Sequence, residues 1–165
     1  MRIAGAPFAF VIATGLLAAG AAAAESRESA TIVDSGSTNT AGYAIEVWSD
    51  ASASVTYRNG TGLPARPKSF TIPAALAAHF FADLRAARAG AAKAALCLKS
   101  ASFGTSTHVR WQGWTSPDLD CPPNDKLTAA LVKDVAAIRA AGNVTTPLHG
   151  FPGGPPRVIV SPMPT

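Results

Sequence analysis

Apolar side chains recur at every second position from Tyr43, so that Tyr43, Ile45 and Val47 share one side of an extended chain and Ala44, Glu46 and Trp48 the other. That alternation predicts a strand with one apolar face, on which Glu46 is a solvated residue rather than a catalytic acid. After Asp50-Ala-Ser-Ala the pattern resumes in Ser54-Val-Thr-Tyr-Arg58, and the two runs read as a hairpin with a four-residue connection. Upstream, Thr31-Ile-Val33 is long enough for a short strand, followed by a loop through Asp34-Ser-Gly-Ser-Thr-Asn. Gly36 and Gly42 lack the lysine that an anion-binding loop would want, so a plain loop is the simpler reading.

The period changes after Pro73. Leu76, Phe80, Leu84 and Ala87 follow at helical spacing, widened by Ala77 and Phe81, and the stripe ends near Gly90. Pro73 suits the first helical turn, with Thr71 or Ile72 at the cap position. Alternation returns in Ala94-Ala-Leu-Cys-Leu-Lys99, where Ala95, Cys97 and Lys99 oppose Leu96, Leu98 and Ser100. This predicts a strand that turns around Gly104 and pairs with Thr107–Trp111, whose Trp111 packs beneath the first helix. Asn124 or Asp125 caps a second helix striped by Leu127, Leu131, Val135 and Ile138 and closed by Ala141-Gly142. The Gly/Pro-rich stretch 59–68 reads as a connection. Together these elements predict an α+β domain in the order β-β-β-α-β-β-α, with two helices on one face of a mostly antiparallel sheet.

The N-terminus carries a different pattern. Met1-Arg2, an apolar run from Phe8 to Leu17 and Ala21-Ala-Ala-Ala24 have the layout of a signal peptide spanning residues 1–24 and cleaved after Ala24. Glycine and alanine dilute that run below what a membrane span requires, so no transmembrane segment is expected after cleavage. Export would place the chain in a periplasmic or secreted, oxidising compartment, where its only two cysteines, Cys97 and Cys121, are expected to form a disulfide. Closing that loop stabilises a fold by about 3.5 kcal/mol in the chain-entropy model. Residues 25–142 then form one domain, and 143–165, rich in proline and glycine, form a tail. Within the tail Arg157-Val-Ile-Val160 could add an edge strand.

Charge and chemistry narrow the function more by exclusion. The formal charge is +4, from 14 basic and 10 acidic residues. No three of the basic ones are consecutive, which with export argues against nucleic acid as a partner. The three histidines, at 79, 108 and 149, and the two distant cysteines match no metal-ligand spacing, and no cofactor motif is present. His79 and Asp83 are one helical turn apart and read as a surface pair. His108 lies among serines and threonines with Asp118 and Asp120 nearby, but no Gly-x-Ser-x-Gly elbow accompanies it. Arg110, Gln112 and Trp114 are the candidate partner-binding residues, since an aromatic beside Arg and Gln suits a protein or sugar surface.

Three stretches also carry a resemblance. Asp34-Ser-Gly-Ser-Thr-Asn39, Cys97-x-Lys-Ser-x-Ser-Phe-Gly-Thr105 and Ser116-Pro-Asp-Leu-Asp-Cys-Pro122, with Phe81-Ala-Asp-Leu84 in the helix between, resemble a family of small exported bacterial proteins without an assigned activity. The element order is more loosely similar to small bacterial inhibitors of thermolysin-like metalloproteases, with no inhibitory motif to transfer. The expectation is a noncatalytic binding or inhibitor-like module acting on an unknown protein or envelope component. A structural, envelope-associated protein tethered by its tail is the alternative, and a hydrolase with an unfamiliar site stands third.

Overall fold

The computed structural model describes residues 27–58, 66–100 and 102–146. The expected signal segment, residues 59–65, His149 and the tail from 147 onward, with its candidate edge strand, lie outside them. Six strands and two helices follow one another as β1 (Ser29–Asp34), β2 (Tyr43–Trp48), β3 (Ser52–Tyr57), β4 (Lys68–Thr71), α1 (Ala74–Ala89), β5 (Thr107–Trp111), β6 (Trp114–Thr115) and α2 (Lys126–Ala141). The strands form one antiparallel sheet in the order β4-β3-β2-β1-β5-β6. Both helices cover one face of it. The α+β class, the one-sided helical layer and the Cys97–Cys121 bridge are as predicted.

Register explains why the alternating residues end in one layer. Ile45 of β2 stands opposite Ile32 of β1 and Val55 of β3, while Ile32 also faces Val109 of β5, so a single apolar row crosses four strands. Phe80, Phe81 and Leu84 of α1 and Leu131, Val135 and Ile138 of α2 close over that row. A one-residue slip would turn the whole set to the solvent. Burying large side chains of this kind contributes about 1.5–3 kcal/mol each before the ordering entropy is counted. Glu46 and Arg110 project from the uncovered face, where both are exposed and stand opposite Thr31.

The chain departs from the predicted elements in definite places. β4 is an additional strand, which the Gly/Pro-rich approach and Pro73 obscure; only Phe70 packs on the core, opposite Ala53. The β2–β3 connection is Ser49-Asp50-Ala51, shorter than predicted, because Ala51 takes φ +67° and its N–H returns to Trp48 O at 3.0 Å. Pro73 itself occupies the N-cap of α1, without a side-chain cap. Asp125 caps α2, accepting from Thr128 N at 2.7 Å. Val144 is buried in the core, so packing continues two residues past Gly142.

The largest departure concerns Ala94–Lys99, which is not a strand. Apart from one isolated bridge, Ala94 to Pro123, it pairs with nothing in the sheet. β5 has no edge left for it, because β1 occupies one side and β6 the other. The Gln112-Gly113 turn makes this possible: both residues have positive φ, +45° and +75°, as a two-residue hairpin requires.

Candidate binding site

Without a sheet partner, residues 93–100 are held to the domain at alternate positions. Lys93 is fixed to the start of α2, its N–H donating to Asp125 Oδ2 at 2.8 Å and its carbonyl accepting from Thr128 Oγ1 at 2.7 Å. Ala95 N donates to Pro122 O at 3.2 Å. Cys97 is bonded to Cys121, with the Cα atoms 5.6 Å apart. Lys99 Nζ turns inward to Asp118 Oδ2, Thr105 O and Ser106 Oγ. The residues between these anchors point the other way: Leu96 and Leu98 are 105% and 106% exposed. The predicted alternation therefore holds, but here the apolar side is the uncovered one.

A network of short polar contacts stiffens the support beneath. Burial pulls the Asp118 carboxyl upward, but hydrogen bonds from Lys99, Ser106 and Asp120 N outweigh it and hold it below its ordinary value. Ser102 O accepts from Ser37 Oγ at 2.8 Å and from Asn39 N at 3.2 Å. Ser35 N donates to Ser106 O and Ser106 N to Ser35 Oγ, both at 3.0 Å. Thr105 Oγ1 donates to Asp120 Oδ2 at 2.7 Å. Gly36 and Gly42 let the 34–42 loop close on itself, since a Cβ on Gly36 would lie 2.4 Å from Gly42 N. The three stretches that carried the resemblance, 34–39, 97–105 and 116–122, thus meet in one place.

Among the described residues, the backbone N–H and C=O groups of Leu96, Cys97, Leu98 and Lys99 make no hydrogen bond. Four consecutive residues with alternating inward and outward side chains thus lie on the domain surface, their donors and acceptors unpaired among the described residues. Such a stretch can accept a partner's backbone along its side while its outward side chains enter pockets.

No family model, curated protein or solved structure matches this chain.

The residues predicted to bind a partner are not brought together. Arg110 is exposed on the uncovered sheet face. Gln112 sits in the β5–β6 turn, its Oε1 accepting from Arg88 NH1 at 3.4 Å. Trp114 stands opposite Trp111 and packs, partly buried, against the helix-side core. Trp111 is buried as expected, and its Nε1 donates to Glu28 Oε1 at 3.1 Å. His108 Nδ1 lies 3.0 Å from the carbonyl oxygen of Ser116, whereas Ser116 Oγ accepts from Val109 N and donates to Pro117 O. That arrangement pairs the imidazole with backbone, not with a hydroxyl nucleophile.

Two further polar clusters lie under the helices. Asp34 is buried, and desolvation raises its pKa against the opposing hydrogen bond from Gly36 N at 2.7 Å. Its neighbour Tyr43 is likewise pushed up by burial, and the Arg139 guanidinium stacks 5.4 Å from the Tyr43 ring. A cavity of about 100 Å³ adjoins them between Thr107, Leu119, Asp120, Val135 and Arg139. Between the helices, Asp134 is pushed up to about 6 by desolvation and by Asp83, with His79 opposing the shift. Among the described residues no group of three His, Cys, Asp or Glu could hold a metal, and no helix is long and apolar enough to cross a membrane.

Leu96 and Leu98 are the site residues that sequence reasoning missed as such. Their signal was present in the alternation with Cys97 and Lys99. Which side of the segment the domain would cover depended on the strand pairing.

Proposed function

We propose that this protein is an exported, noncatalytic binding module whose recognition element is the anchored segment 94–100. The single observation that carries the reading is the pair of fully exposed leucines on a chain fixed from below. Leucine is ordinarily buried, and two such side chains held in place invite a partner. Preorganisation strengthens the case, because the ordering cost that a loose loop would incur on binding has already been met by folding. The Cys97–Cys121 bridge supports export to the periplasm or beyond, where such bonds persist. The partner is a protein with an apolar recess, and Arg110, Gln112 and Trp114 lie outside the contact.

The test uses the mature chain from Glu25 as bait against the envelope and secreted fractions of the producing cell. Wild-type protein is expected to retain a partner that the Leu96→Asp/Leu98→Asp variant loses, with unchanged circular dichroism and melting temperature. A partner held equally by both would refute the assignment of this segment.

A further inference from the structure

Building on the proposal that segment 94–100 is the recognition element, we infer that the recess it enters is the substrate cleft of an endopeptidase that selects apolar side chains, and that the protein acts there as an inhibitor. An endopeptidase binds its substrate as an extended chain, pairing backbone groups along the cleft and taking side chains into successive pockets. Residues 96–99 meet each requirement: their backbone groups are unpaired among the described residues, Leu96 and Leu98 stand clear of the domain, and Cys97 and Lys99 are tied down. Length favours a cleft over a sheet edge. Four residues span only about 13 Å of strand, little for stable edge-to-edge pairing but enough to cross several subsites. Edge pairing would also leave both leucines standing in water, whereas a cleft buries them.

The same anchors explain why such a segment would inhibit rather than be consumed. Hydrolysis of the Leu98–Lys99 bond adds water, leaving a carboxylate on Leu98 and an amine on Lys99. Neither new end is free to leave. On one side Leu98 remains joined to Cys97 and through it to Cys121; on the other the Lys99 side chain is held by Asp118, Thr105 O and Ser106. Ends kept together can be rejoined by the reverse reaction or remain bound in the cleft, and the peptidase is occupied in either case.

The probes are two purified endopeptidases with apolar selectivity, a subtilisin-type serine enzyme and a thermolysin-type zinc enzyme, each assayed on a chromogenic peptide with the mature protein added. Competitive inhibition of at least one is expected. Leu98→Asp should raise the inhibition constant about 100-fold and Leu96→Asp about 10-fold, the scale expected when a leucine pocket receives a charge. Both side chains are in solvent, so the variants should retain the wild-type melting temperature. Failure to inhibit either enzyme, or inhibition unchanged by Leu98→Asp, overturns the inference. So does sedimentation showing a dimer of the wild-type chain that the two substitutions dissolve, since a second copy would then be the occupant. Loss of the captured partner in the leucine variant without any peptidase inhibition would refute the peptidase alone and leave the binding segment standing.

Discussion

The helix-covered face of the sheet and the bridged segment, residues 93–100 and 102–106, are both ordered, but by opposite means. On the sheet, alternate apolar residues meet α1 and α2 and are sealed from water. In the bridged segment the alternate apolar residues face outward, and order comes from a disulfide, Lys99 and hydrogen bonds to Ser35, Ser37 and Asp120. Periodicity reports which residues share a side, not which side is covered. Fixing a chain through its inward side chains leaves its backbone available, an arrangement no interior strand can offer.

The largest effect expected from this contrast comes from truncating one leucine in each region. Leu131→Ala, in the core, should cost about 2–5 kcal/mol by urea denaturation, whereas Leu98→Ala should stay within about 0.5 kcal/mol. A comparable loss at Leu98 would mean that its side chain is covered after all. Next in size is the bridge: Cys97→Ser with Cys121→Ser should lower stability by about 2–4 kcal/mol. Hydrogen exchange should then quicken at the Lys93 and Ala95 amides, which donate to Asp125 and Pro122, while β1, β2 and β3 stay protected. Uniform loss of protection across the sheet would show that the bridge is part of the core rather than an anchor for one segment.

Legibility in the sequence follows the same division. β2, α1 and α2 were readable because each buries a stripe whose period belongs to its own backbone, as with Tyr43, Ile45 and Val47 or Phe80 and Leu84. The bridge followed from two cysteines and the expectation of export. β4 was hidden because an edge strand of Lys68-Ser-Phe-Thr packs only Phe70 on the core. Segment 94–99 was misassigned because its exclusion from the sheet depends on β6, two residues that the Gln112-Gly113 turn folds back on β5. Nothing local to Leu96 or Leu98 carries that information. The predicted binding set is not gathered on one surface for a related reason: Arg110 and Trp114 are near in sequence, but the hairpin pleat sends them to opposite faces of the sheet.

Acid and base should separate the two regions more finely. Asp134, between the helices, is pushed up to about 6 from 3.8, first by desolvation and then by Asp83. The folded state therefore holds a proton that the unfolded chain has already released, so stability should fall as pH rises between about 4 and 6. Asp134→Asn should remove that slope and, since the group is partly solvated, gain only about 1 kcal/mol at pH 7. Urea denaturation at pH 4 and pH 7 would check it, and a variant that keeps the wild-type slope would reassign the titration.

Asp118, under the bridged segment, should behave with the opposite sign and the smallest global effect. Burial raises its pKa, but the bonds from Lys99, Ser106 and Asp120 N prevail and the carboxyl stays below its ordinary 3.8. Its contribution is therefore complete above that value and is lost as pH falls further, when the proton displaces the Lys99 ammonium. The consequence should be local, because Cys97 and Ala95 still hold the chain on the other side of Leu98. Amide exchange at Gly104 and Ser106, whose N–H groups donate to Ser100 O and Ser35 Oγ, should quicken about 10-fold in Asp118→Asn at neutral pH, which corresponds to about 1.4 kcal/mol of local opening. Exchange at Ile45 should not change. Equal acceleration at both places would mean that the segment and the sheet open together, and the distinction between two separately fixed regions would fail.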